Sequence, residues 1–301
     1  MRRASTYLLI GLAVFLLAIS VLLRFYVVPG LLVTPLDQFA ETFAPGTGTV
    51  FDPAALAERQ NVHLIAHRTL RGDVAASSKD RGVWDESVVI SDSDGKLISA
   101  TTDRVAWDRK TGEAVNCCNE NVDGTPTKHV GLSYKFPFGA QKKTYQFFDT
   151  TAKRAFPMFY KDTEKVQGLT VYRYEQPIKP VQIGEVEVPG ALVGSTAASV
   201  KAPRFYDNTR TVWIEPVTGI IIKGQEKQHQ ALRDAAGTDK VTLIGVTLTF
   251  DEKTQKQQGD LAKDGRSQKA LVGTWVPLGC LLLGLILAGL AFVLARREQH
   301  T

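Results

Sequence analysis

Three groupings of chemically capable residues draw attention first. His63 and His67 have the i, i+4 spacing that sets two imidazoles on one face of a helix, where they can share a metal ion. Their segment NVHLIAHRTL alternates apolar and polar residues as a strand does, however, and four strand residues separate side chains by about 13 Å, too far for shared coordination. Asp92-Ser93-Asp94-Gly95 begins like a calcium loop but lacks the third acidic ligand and the distal glutamate, so a polar hairpin turn is expected. The adjacent Cys117 and Cys118 leave three states open: a vicinal disulfide, pairing with another chain, or free thiols. The chain contains no GxSxG, HExxH, Walker loop or dinucleotide fingerprint. No catalytic, metal or cofactor-binding residue is therefore assigned, no cofactor is expected, and the expected protein is not an enzyme.

Aromatic residues are dense near the middle of the chain. Tyr145, Phe147, Phe148, Phe156, Tyr172 and Tyr174, with Phe159 and Tyr160 among them, could line an apolar pocket or build the core of a β domain. A turn motif follows them. In Trp213-Ile214-Glu215-Pro216-Val217-Thr218-Gly219, Pro216 presets φ and Gly219 suits the tight-turn conformation, between two β-branched runs.

What positions these residues is set by two apolar runs. Tyr7–Val28 and Leu271–Leu294 each reach the roughly 20 residues a helix needs to cross hydrocarbon, and Arg24 and Trp275 lie toward interfacial ends. Arg2 and Arg3 precede the first run and Arg296 and Arg297 follow the second, so both termini are expected in the cytoplasm of a two-pass plasma-membrane protein. Ala18-Ile19-Ser20 offers a signal-peptide cleavage site, but the apolar run continues past it, which favours an anchor. Those flanking arginines, with Arg24 and less Glu298, account for +4 of the formal +5, leaving +1 between the helices. The basic balance is thus topological, and nucleic acid is not an expected partner.

The expected organisation is a cytoplasmic N-terminus (1–6), a membrane helix (7–28), an extracytoplasmic β-rich domain (29–252), a polar stalk (253–270), a second membrane helix (271–294) and a cytoplasmic tail (295–301). Period-two alternation predicts an antiparallel, mainly β domain with strands at Val62–Leu70, Ser87–Ser91, Lys96–Trp107, Leu169–Glu175, Val181–Val188, Arg210–Glu215, Gly219–Gly224 and Val241–Phe250. Asp52 as N-cap and Pro53 at the first position predict a short helix over Pro53–Arg59. The polar Lys253–Lys269 segment is a second helical candidate, and Thr47–Val50 with its neighbours reads as a short loop.

The segment Gly131–Ile178 carries Phe136-Pro137-Phe138-Gly139, the aromatic strand Tyr145–Asp149 and Gly168–Tyr174; Trp213-Ile214-Glu215-Pro216 and Thr218-Gly219 follow. With the two-helix bracket, these residues resemble the actinobacterial PorA family porins over nearly the whole chain. The resemblance implies a cell-envelope protein of that lineage and supplies no catalytic residues. A membrane β-barrel would need an outward apolar band on its strands, whereas these strands carry many charges, so a pore would take several copies. The architecture is also similar, in topology alone, to the CD36-type receptors. Together these readings predict a non-enzymatic envelope protein whose exterior domain binds or passes a hydrophobic ligand such as a membrane lipid. A module pairing with another envelope protein, and a subunit of a homo-oligomeric pore, are the alternatives.

Overall fold

The computed structural model describes residues 2–28 and 33–299, so the parts of the expected segments at 1, 29–32 and 300–301 lie outside the described residues. The chain divides into two compact units, one of residues 34–262 and one of the terminal segments.

In the terminal unit, α1 (Arg2–Leu22) ends in a π-turn, Leu23–Val27, and α3 (Val276–Gln299) follows a π-turn at Leu271–Trp275. Both contain stretches long and apolar enough to cross a membrane. The two helices pack antiparallel. The Ser20 hydroxyl donates to the Pro277 carbonyl at 2.8 Å, and Arg24 Nη1 to the Gly273 carbonyl at 3.0 Å. Gly284 lets them approach, since a Cβ there would lie 3.0 Å from the Leu17 side chain and 3.2 Å from the Ala13 carbonyl oxygen.

The other unit is mainly antiparallel β. Its strands are β1 (Phe39–Asp52), β2 (Ala57–Gly72), β3 (Arg81–Asp92), β4 (Leu97–Asp108), β5 (Asn121–Val122), β6 (Thr125–Pro126), β7 (Tyr145–Asp149), β8 (Arg154–Val166), β9 (Leu169–Pro189), β10 (Ser199–Ile214), β11 (Ile221–Arg233) and β12 (Asp239–Thr249). They form one sheet in the order β6-β5-β4-β3-β2-β1-β12-β11-β10-β9-β8-β7. The sheet also closes on itself. Trp107 of β4 bridges Ala114, Glu113 bridges Leu132, and Leu132 bridges Phe147 of β7. The result is a barrel closed by short pairings and single bridges, so that Phe159–Val166 of β8 pairs only with β9 and Leu97–Thr101 of β4 only with β3.

Several expectations need correction. The Pro53–Arg59 helix does not form: Ala54 and Ala55 donate their N–H groups to Asp52 Oδ1 at 3.0 and 3.4 Å, and Asp52 pairs with Ala57 across a hairpin. The capping chemistry of Asp52 is real, but it organises a turn because strand pairing on both sides outweighs the helix propensity of one seven-residue segment. Thr47–Val50 is not a loop but the middle of β1. Its glycines allow a close crossing, because a Cβ at Gly46 would lie 2.3 Å from the Thr247 carbonyl oxygen and one at Gly48 2.2 Å from that of Gly245. The two strands expected at Leu169–Glu175 and Val181–Val188 are one, β9, whose register shifts opposite Phe205 and Asp207 absorb Ile183 and the Lys179-Pro180 pair as bulges.

The polar helix expected near Lys253 is α2 (Glu252–Ala270). Through Ala262 its first part covers Leu169, Val171, Trp213 and Ile222 on the outer face of β9, β10 and β11. Inside the barrel, apolar clusters gather around Val50, Leu64 and Val246, around Trp84 and Trp107, and around Phe136, Tyr145 and Tyr174.

Candidate functional site

The lower part of the barrel is filled. The Leu132–Ala140 segment runs across it, and the amides of Phe136, Gly139 and Ala140 donate to the carbonyls of Gly219, Val217 and Pro216. The turn motif is therefore a docking edge. Glu215 is buried and its carboxylate accepts the N–H groups of Val217 and Thr218 and the Thr218 hydroxyl, while Gly219 has φ +75° and sits where a Cβ would be 2.0 Å from the Phe136 carbonyl oxygen. Trp213 points the other way and donates its indole N–H to Glu164 at 3.0 Å.

Around Phe136, the rings of Tyr145, Phe147 and Tyr174 stand 5.2, 6.0 and 4.8 Å away between centroids, with Met158, Val212 and Ile214 completing the packing. Tyr172 packs on the edge of this cluster; Phe148 instead contacts His129, and Phe156 lies beside Arg154. The six aromatic candidates thus divide among a solid cluster, a cavity wall shared by Phe147 and Phe148, and a separate strand position.

Lys135 is buried in the same floor. Its ammonium donates to the Thr34 hydroxyl at 2.7 Å and stands 3.8 Å over the Phe138 ring, with no carboxylate paired to it among the described residues. Burial alone pulls its pKa down to about 7.

Above this floor the barrel holds a partly open cavity of about 540 Å³. Four cations (Arg68, Lys153, Arg204, Arg210) and four carboxylates (Glu86, Asp103, Asp123, Glu226) lie on its wall, between apolar positions such as Ile90, Ile98, Ile183 and Leu248. Arg210 is the most heavily paired. It donates to Glu226 at 2.6 Å, to Asp149 at 3.1 Å and to Gln176 at 2.9 Å, and Tyr206 donates to Asp149 at 3.0 Å. Although burial lowers the guanidinium's pKa, Glu226 and Asp149 raise it above its ordinary value. Arg68 pairs with Glu86, whose carboxyl burial pushes up.

Behind the wall, His129 is fully buried between two carboxylates, Nε2 2.8 Å from Asp103 and Nδ1 3.0 Å from Glu120. Burial opposes its charge, but those two carboxylates raise its pKa. Tyr134 donates to the other Asp103 oxygen at 2.6 Å. Glu120 also accepts the N–H of Cys117 at 3.3 Å, in the turn where the structure joins Cys117 to Cys118. His63 and His67 both lie on β2, bonded separately to Thr47 and Glu41. Asp92 organises the β3–β4 turn by accepting the N–H groups of Asp94 and Lys96.

A charged chamber wall was not foreseen from the sequence. Its signal lies in β10, where Arg204, Tyr206, Asn208 and Arg210 occupy the alternation that ends in Val212 and Ile214, so charge recurs on the inward face.

The family model described as Porin PorA matches residues 6–293. The chain belongs to the PorA porin family. Two relatives, each called Porin PorA, are 27% identical to it. The one from Corynebacterium amycolatum aligns with 95% of this chain and 97% of its own length, and the one from Corynebacterium resistens with 100% and 99%. PorA membership, together with two long apolar helices, makes this a membrane protein of the cell envelope.

Proposed function

We propose that this PorA-family chain is a non-enzymatic protein that crosses the plasma membrane twice, with both termini cytoplasmic, and holds a small amphipathic ligand in an extracytoplasmic barrel. The observation that carries the reading is the cavity within the barrel, whose size falls in the range of small-molecule sites and whose wall mixes aliphatic side chains with charges. This refines a purely hydrophobic ligand, because the densest aromatic group is packed solid against Phe136 and the open space lies where Arg68, Arg204 and Arg210 reach. Native mass spectrometry of the protein extracted from its own membrane tests it: a co-purifying molecule with both an apolar chain and a polar group is expected. Protein that is empty in every preparation would sink the reading.

A second reading, a subunit of an oligomeric pore, is favoured by the family itself. The barrel's outer face carries exposed charges such as Lys179, Glu185, Glu187 and Lys201, so it is no lipid-facing band, and crossing falls to the helices. Two helices per copy cannot enclose water, so conduction requires several copies. Conductance in planar bilayers that disappears when the helices are removed supports this reading, and silence across preparations ends it.

A further inference from the structure

The four cations on the cavity wall are not equivalent. Arg68 and Arg210 are matched by Glu86, Glu226 and Asp149, whereas among the described residues Arg204 and Lys153 form no ion pair. Arg204 Nε, at 3.1 Å, and Nη2 both donate to the neutral Gln230 Oε1, and burial lowers the guanidinium's pKa without a carboxylate to offset it. The wall's carboxylates are engaged elsewhere: Asp103 with His129 and Tyr134, and Asp123 with the Thr102 N–H at 2.8 Å. A half-buried guanidinium without counter-charge is costly unless an anion joins it. The strand geometry adds a second pointer. The bulge between the Arg204–Gly184 and Phe205–Gln182 pairs skips Ile183, so an aliphatic side chain and the unmatched cation meet at one place on the wall.

We infer that the cavity's ligand is an anionic amphiphile, its carboxylate or phosphate held by Arg204 and Lys153 and its chain lying along Ile183, Ile98 and Ile90. The inference rests on the ligand-binding reading above and specifies its chemistry. With its Nε–Nη2 edge on Gln230, Arg204 offers the remaining Nη1 and Nη2 hydrogens as a planar donor pair for either oxyanion, and Lys153, on the turn between β7 and β8, adds an exposed point charge. The aliphatic wall excludes water from the remainder of the molecule and so rewards a chain over a free ion.

Equilibrium dialysis of the full chain in non-ionic amphipol, with labelled octanoate, its neutral analogue 1-octanol, and inorganic phosphate as competitor, tests this. Octanoate should be retained at least tenfold more tightly than 1-octanol. Arg204→Gln should bring octanoate down to the level of 1-octanol without changing 1-octanol, and Arg204→Lys should keep most of the preference. Equal retention of the two probes by the unaltered protein, or a loss of both in Arg204→Gln, overturns the anionic site while leaving ligand binding intact. Displacement of octanoate by an equal concentration of phosphate overturns the amphiphile in favour of a free anion. Retention of neither probe overturns the inference together with the reading beneath it.

Discussion

The floor of the barrel and the chamber above it are made from the same strands, yet one is solid and the other hollow. In the floor the inward positions of β9 and β10 are Tyr172, Tyr174, Val212 and Ile214, and Phe136 from the crossing segment fills the space between them. Two and six residues before Val212 on β10, the same alternation places Arg210 and Tyr206, which reach their partners by hydrogen bonds across space that apolar side chains would have closed. Alternation alone decides which residues face inward. Whether the interior collapses depends on whether those residues can pack or must stay solvated and paired.

The largest effects should come from removing the keystone of each region. Phe136→Ala leaves a void among Tyr145, Phe147 and Tyr174 and should cost about 3–5 kcal/mol. Arg210→Met leaves Asp149 and Glu226 without their cation and should cost a similar 3–5 kcal/mol or so. At about 2–4 °C per kcal/mol, each is read as a Tm fall of roughly 10 °C in tryptophan-fluorescence melts of the full chain. The contrast between the two regions predicts different repairs. A second change of Asp149→Asn and Glu226→Gln should recover part of the loss in Arg210→Met, whereas no change of charge should help Phe136→Ala. Recovery in neither double background would mean that the chamber wall is held by packing, like the floor.

The pH dependence of stability should separate the regions in opposite directions. Lys135, in the floor, has a folded pKa of about 7 against an ordinary 10.5, so the unfolded chain binds more protons between those values. Stability attributable to Lys135 therefore rises from pH 7 toward 10.5, by at most about 1.4 kcal/mol per pH unit, and Lys135→Met should abolish that slope. His129, behind the chamber wall, has its pKa raised above 6.5 by Asp103 and Glu120. Its contribution is fully present below pH 6.5 and is lost as pH rises through the folded value, and His129→Gln should remove that decline. Urea midpoints across pH 5–10 for the unaltered chain and the two variants check both signs. A single slope shared by both variants would erase the distinction between floor and wall.

Much of this was legible in the sequence, and the parts that were not have identifiable causes. The apolar helices and the antiparallel β class followed from run length and period-two alternation, and the Pro216–Gly219 turn from residues with restricted or permissive φ. β1 was hidden because Gly46 and Gly48, which read as loop residues, are present to let β12 approach, a tertiary reason with no local trace. Asp52 misled because the same side-chain oxygen can cap a helix or a hairpin turn, and the choice belongs to Ala57 and its strand. The chamber was invisible for a different reason. Arg204 and Arg210 look like ordinary surface charges until the sheet closes through Ala114 and Leu132 and turns their face inward.

The smallest effect should come from the paired cysteines. Arg104 Nε donates to the Cys118 carbonyl at 3.0 Å, and Glu120 accepts the N–H groups of Cys117 at 3.3 Å and Ala106 at 3.1 Å. The turn is thus tied to the chamber wall by groups other than sulfur. A bond between adjacent residues closes almost no chain, so it removes little entropy from the unfolded state, and reduction should shift Tm by less than about 2 °C. Glu120→Ala leaves three backbone N–H groups, those of Ala106, Cys117 and His129, and the His129 ring short of an acceptor and should cost about 1–3 kcal/mol. Melts with and without a phosphine reductant, in the unaltered chain and in Glu120→Ala, rank the two. A shift on reduction larger than that of Glu120→Ala would mean that the sulfur bridge, and not the buried carboxylate network, holds this part of the wall in place.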